Sequence, residues 1–294
     1  MSVYQKDASL KEPISSEVPA TIATQYIKPT LCESVINLQM DYISNRRSNL
    51  NKYLFGNKIT LNLLISLISI GFYWKLGVYL SEYNISRGVF KLFKNSYFIN
   101  DLINCTAMVF FIVSLTFGTL YYMTCFLSDE AHGVPDNLVD YFGIDLKEYS
   151  TTTTKTQNKK KLSDVEKKMK DNSLVIEYRD TPIAFIAKSD TIAVSNNKLS
   201  FKILGFAIRR VYIKSEILDE LLAWCKNKMI EESKEKFEIC CIIEIYSFES
   251  FDEEIIKKSG FKCIKEDKIN GVVNKLFNIT KKTYELVYNP ELNK

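Results

Sequence analysis

The sequence predicts an α/β protein organised as a two-span transmembrane helical hairpin followed by a soluble α/β domain. Three observations predict it. Apolar residues concentrate between residues 59 and 126, and most of the charge lies after residue 145. From Ser173 onward, short β-branched runs alternate with stretches of helical periodicity. The 294 residues leave room for the hairpin and one domain of ordinary size. A formal net charge of +4 is too small to indicate a nucleic-acid partner, whereas the lysine excess suits a protein beside anionic lipid. The cysteines, Cys32, Cys105, Cys125, Cys225, Cys240, Cys241 and Cys263, lack the paired spacing of a zinc ribbon or a disulfide framework. That usage points to a reducing compartment for the C-terminal domain.

Residues 1–58 read as a cytosolic tail and a pre-membrane segment. Met1 to Ile27 is polar, contains Pro13 and Pro19, and lacks a short apolar run with a cleavage site. The hairpin occupies residues 59–126. Its first span, Ile59 to Leu80, carries one charge, Lys75, near enough to its end to snorkel to the headgroups. Tyr73, Trp74 and Tyr79 cluster at that end as an interfacial belt does. Its second span, Ile103 to Phe126, is uncharged. Each exceeds the about 20 helical residues that a hydrocarbon core of roughly 30 Å requires. Arg46, Arg47, Lys52 and Lys58 precede the first span, against Arg87, Lys91 and Lys94 in the connecting loop, which favours cytosolic termini. Asn84-Ile85-Ser86 in that loop is a glycosylation sequon.

Small and polar residues punctuate both spans. Asn62, Ser66, Ser69, Asn104, Thr106 and Ser114 are candidate contacts for a membrane-embedded client, and Gly71, Gly77, Thr116 and Gly118 belong to the same set. The alternative is that these residues pack the hairpin against itself.

Residues 127–172 form a membrane-proximal segment and a lysine-rich linker, with a nascent helix near Val165. Residues 173–294 carry the α/β domain. Leu174–Tyr178 and Pro182–Lys188 read as strands around an Asp180-Thr181-Pro182 turn, and a long strand runs from Leu199 to about Ile213. A helix follows from Ser215, a plausible N-cap, to about residue 234, with Leu218, Leu221, Leu222, Cys225 and Met229 along one stripe. Phe237 to Ser247 reads as a buried strand, Phe251 to Lys258 as a helix stopped by Gly260, and further strands lie after Phe261, around Leu276–Ile279 and at Tyr284–Tyr288.

That order, with Lys257-Lys258-Ser259-Gly260-Phe261 closing the second helix, resembles the GNAT superfamily of N-acetyltransferases and implies a GNAT-like α/β domain with a mixed sheet. In the family, a glycine-rich loop before the main helix lets backbone N–H groups reach the diphosphate of acetyl-CoA. Here that loop is degenerate at Lys214, Ser215, Glu216 and Leu218, and the family's general-acid tyrosine falls at Ile256, which has no proton to give. The expectation is a folded domain without catalytic residues or cofactor, and a membrane-anchored acetyltransferase is the alternative. His132, the sole histidine, has only Asp129, Glu130 and Asp136 beside it, which is no metal-site pattern.

The tail, the hairpin Ile59–Phe126, the stretch Leu127 to Pro135, the lysine-rich linker and the domain core Gly205–Lys214 together resemble the fungal family of ER-resident phosphate-transporter accessory proteins. This resemblance implies an ER membrane protein, multi-pass with cytosolic termini, needed for a high-affinity phosphate permease to leave the ER. The implied partners are the permease, ER export coat components and membrane lipids, and no nucleic acid.

Overall fold

The computed structural model describes residues 22–82, 93–152, 159–195, 198–233, 237–269 and 271–290. The sequon at Asn84 and the Asn196-Asn197 turn lie outside the described residues. The chain forms two compact units: Ser48–Cys125, and residues up to Arg47 together with those from Phe126.

In the first of these units, the last turns of α1 (Cys32–Gly56) precede α2 (Lys58–Glu82) and α3 (Ser96–Met123). Asn57 interrupts α1 and α2, and its side chain accepts the Ile59 N–H at 2.9 Å while the Thr60 hydroxyl donates to Leu54 O at 2.7 Å. The break therefore leaves few backbone groups bare. Two helical stretches, Lys58–Tyr79 and Ser96–Asp136, are long and apolar enough to cross a membrane. Only 17% and 6% of their apolar windows is buried, unlike the core helices of a soluble domain. Phe72, Leu76 and Tyr79 meet Phe98, Leu102 and Cys105 along the seam. The second long helix starts at Ser96, earlier than Ile103, because Asn95 caps it by accepting the Tyr97 N–H at 3.0 Å. Asp101 is thereby drawn into the helix, where the Tyr79 hydroxyl donates to it at 2.7 Å.

The other unit is built on a mixed sheet. Its strands are β1 (Ile22–Gln25), β2 (Ser173–Tyr178), β3 (Thr181–Lys188), β4 (Ile192–Ser195), β5 (Lys198–Ile208), β6 (Glu238–Tyr246), β7 (Lys262–Lys268) and β8 (Thr280–Tyr288). Their order is β1-β2-β3-β5-β6-β8-β7, with β4 also on β5. Among the described strands, only β5 and β6 pair in parallel. The helices are the first half of α1, then α4 (Cys125–Gly133), α5 (Leu138–Phe142), α6 (Leu146–Thr152), α7 (Lys159–Asn172), α8 (Ile217–Ser233), α9 (Ser250–Lys258) and α10 (Val272–Phe277). The expected strand and helix order from Leu174 to Phe261 is present, with β4 as an addition.

Several local expectations are corrected. The β2–β3 turn is Arg179-Asp180, both at positive φ, which matches the twist of a two-residue hairpin and lets β3 begin at Thr181. The long strand stops at Ile208 because Arg210–Tyr212 coils into a 3-10 turn. Leu276–Ile279 is not a strand. Val272–Phe277 is helical, Asn278 closes it in the left-handed region, and β8 starts at Thr280. The end of α9 holds as expected: Gly260 takes φ +92°, Phe261 N–H reaches Ile256 O at 3.2 Å, and the Phe261 side chain turns into the core.

The core of this unit also differs from expectation. Ile22–Gln25, read as part of a tail, pairs antiparallel with β2. Val35, Ile36, Leu38 and Ile43 of α1 are buried with Ala131, Val134, Leu138, Phe142, Leu146 and Tyr149, which precede β2, with Phe185 and Phe201 of the sheet and with Leu221 of α8. The lysine-rich stretch supplies α7, whose Met169 joins the same cluster.

Candidate functional site

The six polar residues singled out in the spans share one property: all are exposed. At about 100° per helical residue, Asn62, Ser66 and Ser69 fall on one stripe of α2. That stripe is turned by about 80°, under a quarter of a turn, from the line of Phe72, Leu76 and Tyr79 that packs on α3. On α3, Asn104, Thr106 and Ser114 likewise lie off the seam residues Leu102 and Cys105. Thr106 donates its hydroxyl to Leu102 O at 3.0 Å and is satisfied within its own helix. The other five side chains make no hydrogen bond among the described residues. Gly71 instead serves the seam, where a side chain in its place would meet the tip of Met108. Large apolar neighbours such as Ile65, Ile70, Phe110 and Phe111 are exposed on the same helices. In lipid, this surface offers helix partners both packing area and unsatisfied polar groups.

The degenerate loop sits between the 3-10 turn and α8. Ser215 does not cap α8: its hydroxyl donates to Tyr212 O, and the helix begins two residues later. Glu216 enters the helix through its carbonyl, which accepts the Glu220 N–H at 3.2 Å. Leu218 is buried in the core with Leu221 and Leu222. Lys214 precedes them on the surface turn. Ile256 is fully buried on α9. No group of His, Cys, Asp and Glu side chains among the described residues is arranged to hold a metal ion.

Sequence reasoning missed a buried charge cluster. Arg46, read only as a topogenic charge, reaches from α1 to Glu249 at 2.6 Å. Its guanidinium lies over the rings of Tyr42, Tyr246 and Phe206 at 5.0, 5.6 and 5.9 Å. Tyr42 donates to Asp252 Oδ2 at 2.8 Å, while Glu249 Oε2 accepts the Tyr246 N–H at 2.9 Å. Burial and the neighbouring Glu249 push the Asp252 carboxyl up to about 6. Although burial alone disfavours the charged guanidinium, Glu249 and nearby oxygens hold Arg46 above its ordinary value. On the other side of α1, Asp41 pairs with Arg210 at 3.0 Å. The only local signal for this cluster was the run of polar residues inside an otherwise apolar helix.

Among solved structures, the chain overlaps N-acetyltransferases over less than half its length. The NatC complex bound to Gag peptide and CoA is 16% identical, covering 42% of this chain and 76% of that one, at a TM-score of 0.35. The ribosomal-protein-S18-alanine N-acetyltransferase of Escherichia coli is 8% identical, with coverages of 40% and 68% and a TM-score of 0.32. NAA60 of Arabidopsis thaliana, solved with a bisubstrate analogue, is 13% identical, with coverages of 43% and 81% and a TM-score of 0.32. No curated protein matches the sequence. The sequence model of the family described as inorganic phosphate transporter chaperone Pho86 matches residues 4–287, and the chain belongs to that family.

Proposed function

We propose that this phosphate transporter chaperone works in the ER membrane by binding and not by catalysis, capturing its permease client on the outward face of the hairpin. The observation that supports this most directly is the exposure of Asn62, Ser66, Ser69, Asn104 and Ser114 away from the α2–α3 seam. Hydrogen bonds across helices in lipid contribute about 0.6–2 kcal/mol each, enough for a transient complex with a many-span client whose bundle is not yet closed. Both spans cross the bilayer, with the termini and the α/β domain on the cytosolic side, as the basic flank of the first span favours. A binding role is supported by the carboxylate of Glu216 and the buried side chain of Leu218, where the resemblance places glycines, and by the aliphatic Ile256.

A photoreactive residue tests the surface directly. Placed at Ser66, it crosslinks to the permease in ER membranes; placed at Leu76 within the seam, it does not. Equal crosslinking from both positions refutes the outward-face reading. Acetyl-CoA binding to the full-length chain with micromolar affinity refutes the non-catalytic reading. A fragment starting at Ser173 is unsuitable, because it lacks the buried residues of α1, α5 and α6.

A further inference from the structure

The end of the hairpin next to the connecting loop holds two charges of opposite sign on neighbouring helices, Lys75 on α2 and Asp101 on α3. Lys75 rests over the Trp74 ring at 5.6 Å, and Asp101 Oδ2 accepts the Tyr79 hydroxyl at 2.7 Å. Neither forms an ion pair among the described residues. Both lie within electrostatic reach of the Cys105 thiol, which is buried in the α2–α3 seam. They therefore share one end of the seam.

Their depth follows from the same contacts. Tyr79 is the next-to-last residue of the Ile59–Leu80 span, so its bond to Asp101 holds that carboxylate where the span leaves the hydrocarbon. Lys75 starts one turn deeper, about 6 Å at roughly 1.5 Å per residue, and its stem is long enough to carry the ammonium to the same level. Tyr73, Trp74 and Tyr97 are exposed there, as the aromatic belt of a headgroup region is. Lys94, exposed in the turn before α3, adds a second cation.

An ionised group near the bilayer without a counter-charge is costly, so this arrangement calls for a ligand that carries both signs. Phospholipid headgroups with a phosphate and an ammonium supply both at this level. The free oxygen of Asp101 decides which ammonium fits, since it accepts no hydrogen bond among the described residues. A primary ammonium has three N–H donors to offer it, and a trimethylated one has none. The nearest rings, Tyr79 on Phe98 at 5.3 Å and Phe98 on Phe93 at 5.7 Å, pack edge to face on one another instead of forming the cage that a quaternary ammonium needs.

We infer that this end of the hairpin binds the headgroup of an ethanolamine phospholipid, with its ammonium on Asp101 and its phosphate on Lys75. A headgroup held there sets the depth of the hairpin, and with it the level at which the client face is offered. The inference rests on the reading in which both helices cross the bilayer.

The test mixes the full-length chain in mild detergent with equal amounts of ethanolamine, choline and glycerol phospholipids of the same acyl chains. Native mass spectrometry counts the lipids retained. The ethanolamine lipid is retained about tenfold more than either of the others, because it alone brings a charged N–H to the carboxylate. Asp101→Asn keeps an acceptor for the Tyr79 hydroxyl and removes that preference, and Asp101→Glu, which keeps the charge, retains it. Lys75→Gln lowers retention of all three lipids by a similar factor, since each carries the phosphate. Equal retention of the three lipids by the wild-type chain overturns the inference. A preference that survives Asp101→Asn while permease co-purification falls assigns the carboxylate to a basic residue of the client, and overturns it too. Crosslinking to the permease from Ser66 is followed in parallel. Absent lipid preference with intact crosslinking sinks only the headgroup site, whereas lipid preference without crosslinking counts against the client face of the hairpin.

Discussion

The hairpin and the α/β domain place their polar groups in opposite ways. Along α2 and α3, Asn62, Ser66, Asn104 and Ser114 stand outside the seam, which Phe72, Leu76, Phe98 and Cys105 fill. In the domain, Asp41, Arg46, Glu249 and Asp252 lie inside, each within reach of a partner. An exposed amide in lipid remains available to another helix, whereas a buried charge must be matched where it lies. The difference assigns adaptable contact to the hairpin and fixed geometry to the domain.

The comparison is tested most severely at Gly205. A side chain there would place its first carbon 2.7 Å from the backbone oxygen of Tyr141 in α5, and a backbone carbonyl cannot swing aside. Gly205→Ala is expected to cost about 3 kcal/mol, read as a lower thermal midpoint of the detergent-solubilised protein. An unchanged midpoint would show the domain to be as yielding as the hairpin.

Asp252 gives the next largest effect. Its folded-state pKa of about 6 lies above the ordinary carboxylate value, so its ionisation favours unfolding. The stability that the raised pKa contributes is complete below the ordinary value near pH 4 and is lost as pH rises through 6. Asp252→Asn keeps an acceptor for the Tyr42 hydroxyl and removes the charge. It stabilises the protein by about 2 kcal/mol at pH 7.5 and leaves it unchanged at pH 4. A gain of equal size at both pH values would show that the cause is packing and not charge.

For the hairpin, replacing Asn62, Ser66 and Asn104 together with Leu should lower the yield of co-purified permease about tenfold while leaving membrane insertion intact. Wild-type recovery would mean that the client is held elsewhere.

What the sequence revealed follows the same division. Spans, strands and the α8 stripe depend on local periodicity, so α2, β3 and Leu218–Met229 could be read directly. The role of α1 could not, because Asp41 and Arg46 look like surface charges until Arg210 and Glu249, 169 and 203 positions away, are brought beside them. Leu276 and Ile279 looked like strand residues because a six-residue helix leaves too few turns to show a period.

The smallest expected effect sharpens the contrast most. Gly71→Ala makes the same chemical change as Gly205→Ala, but the new methyl meets the side-chain end of Met108 instead of a carbonyl. Methionine can move to another rotamer at a cost of about 1 kcal/mol, and alanine recovers about as much through its higher helix propensity. The net change should stay within about 0.5 kcal/mol. Cys105, fully buried in the seam, reports on it: the rate at which a thiol reagent labels Cys105, followed by mass spectrometry, should change less than about twofold. A tenfold faster rate would show that the seam tolerates no more than the α5–β5 contact does, and the assignment of adaptability to the hairpin would fail.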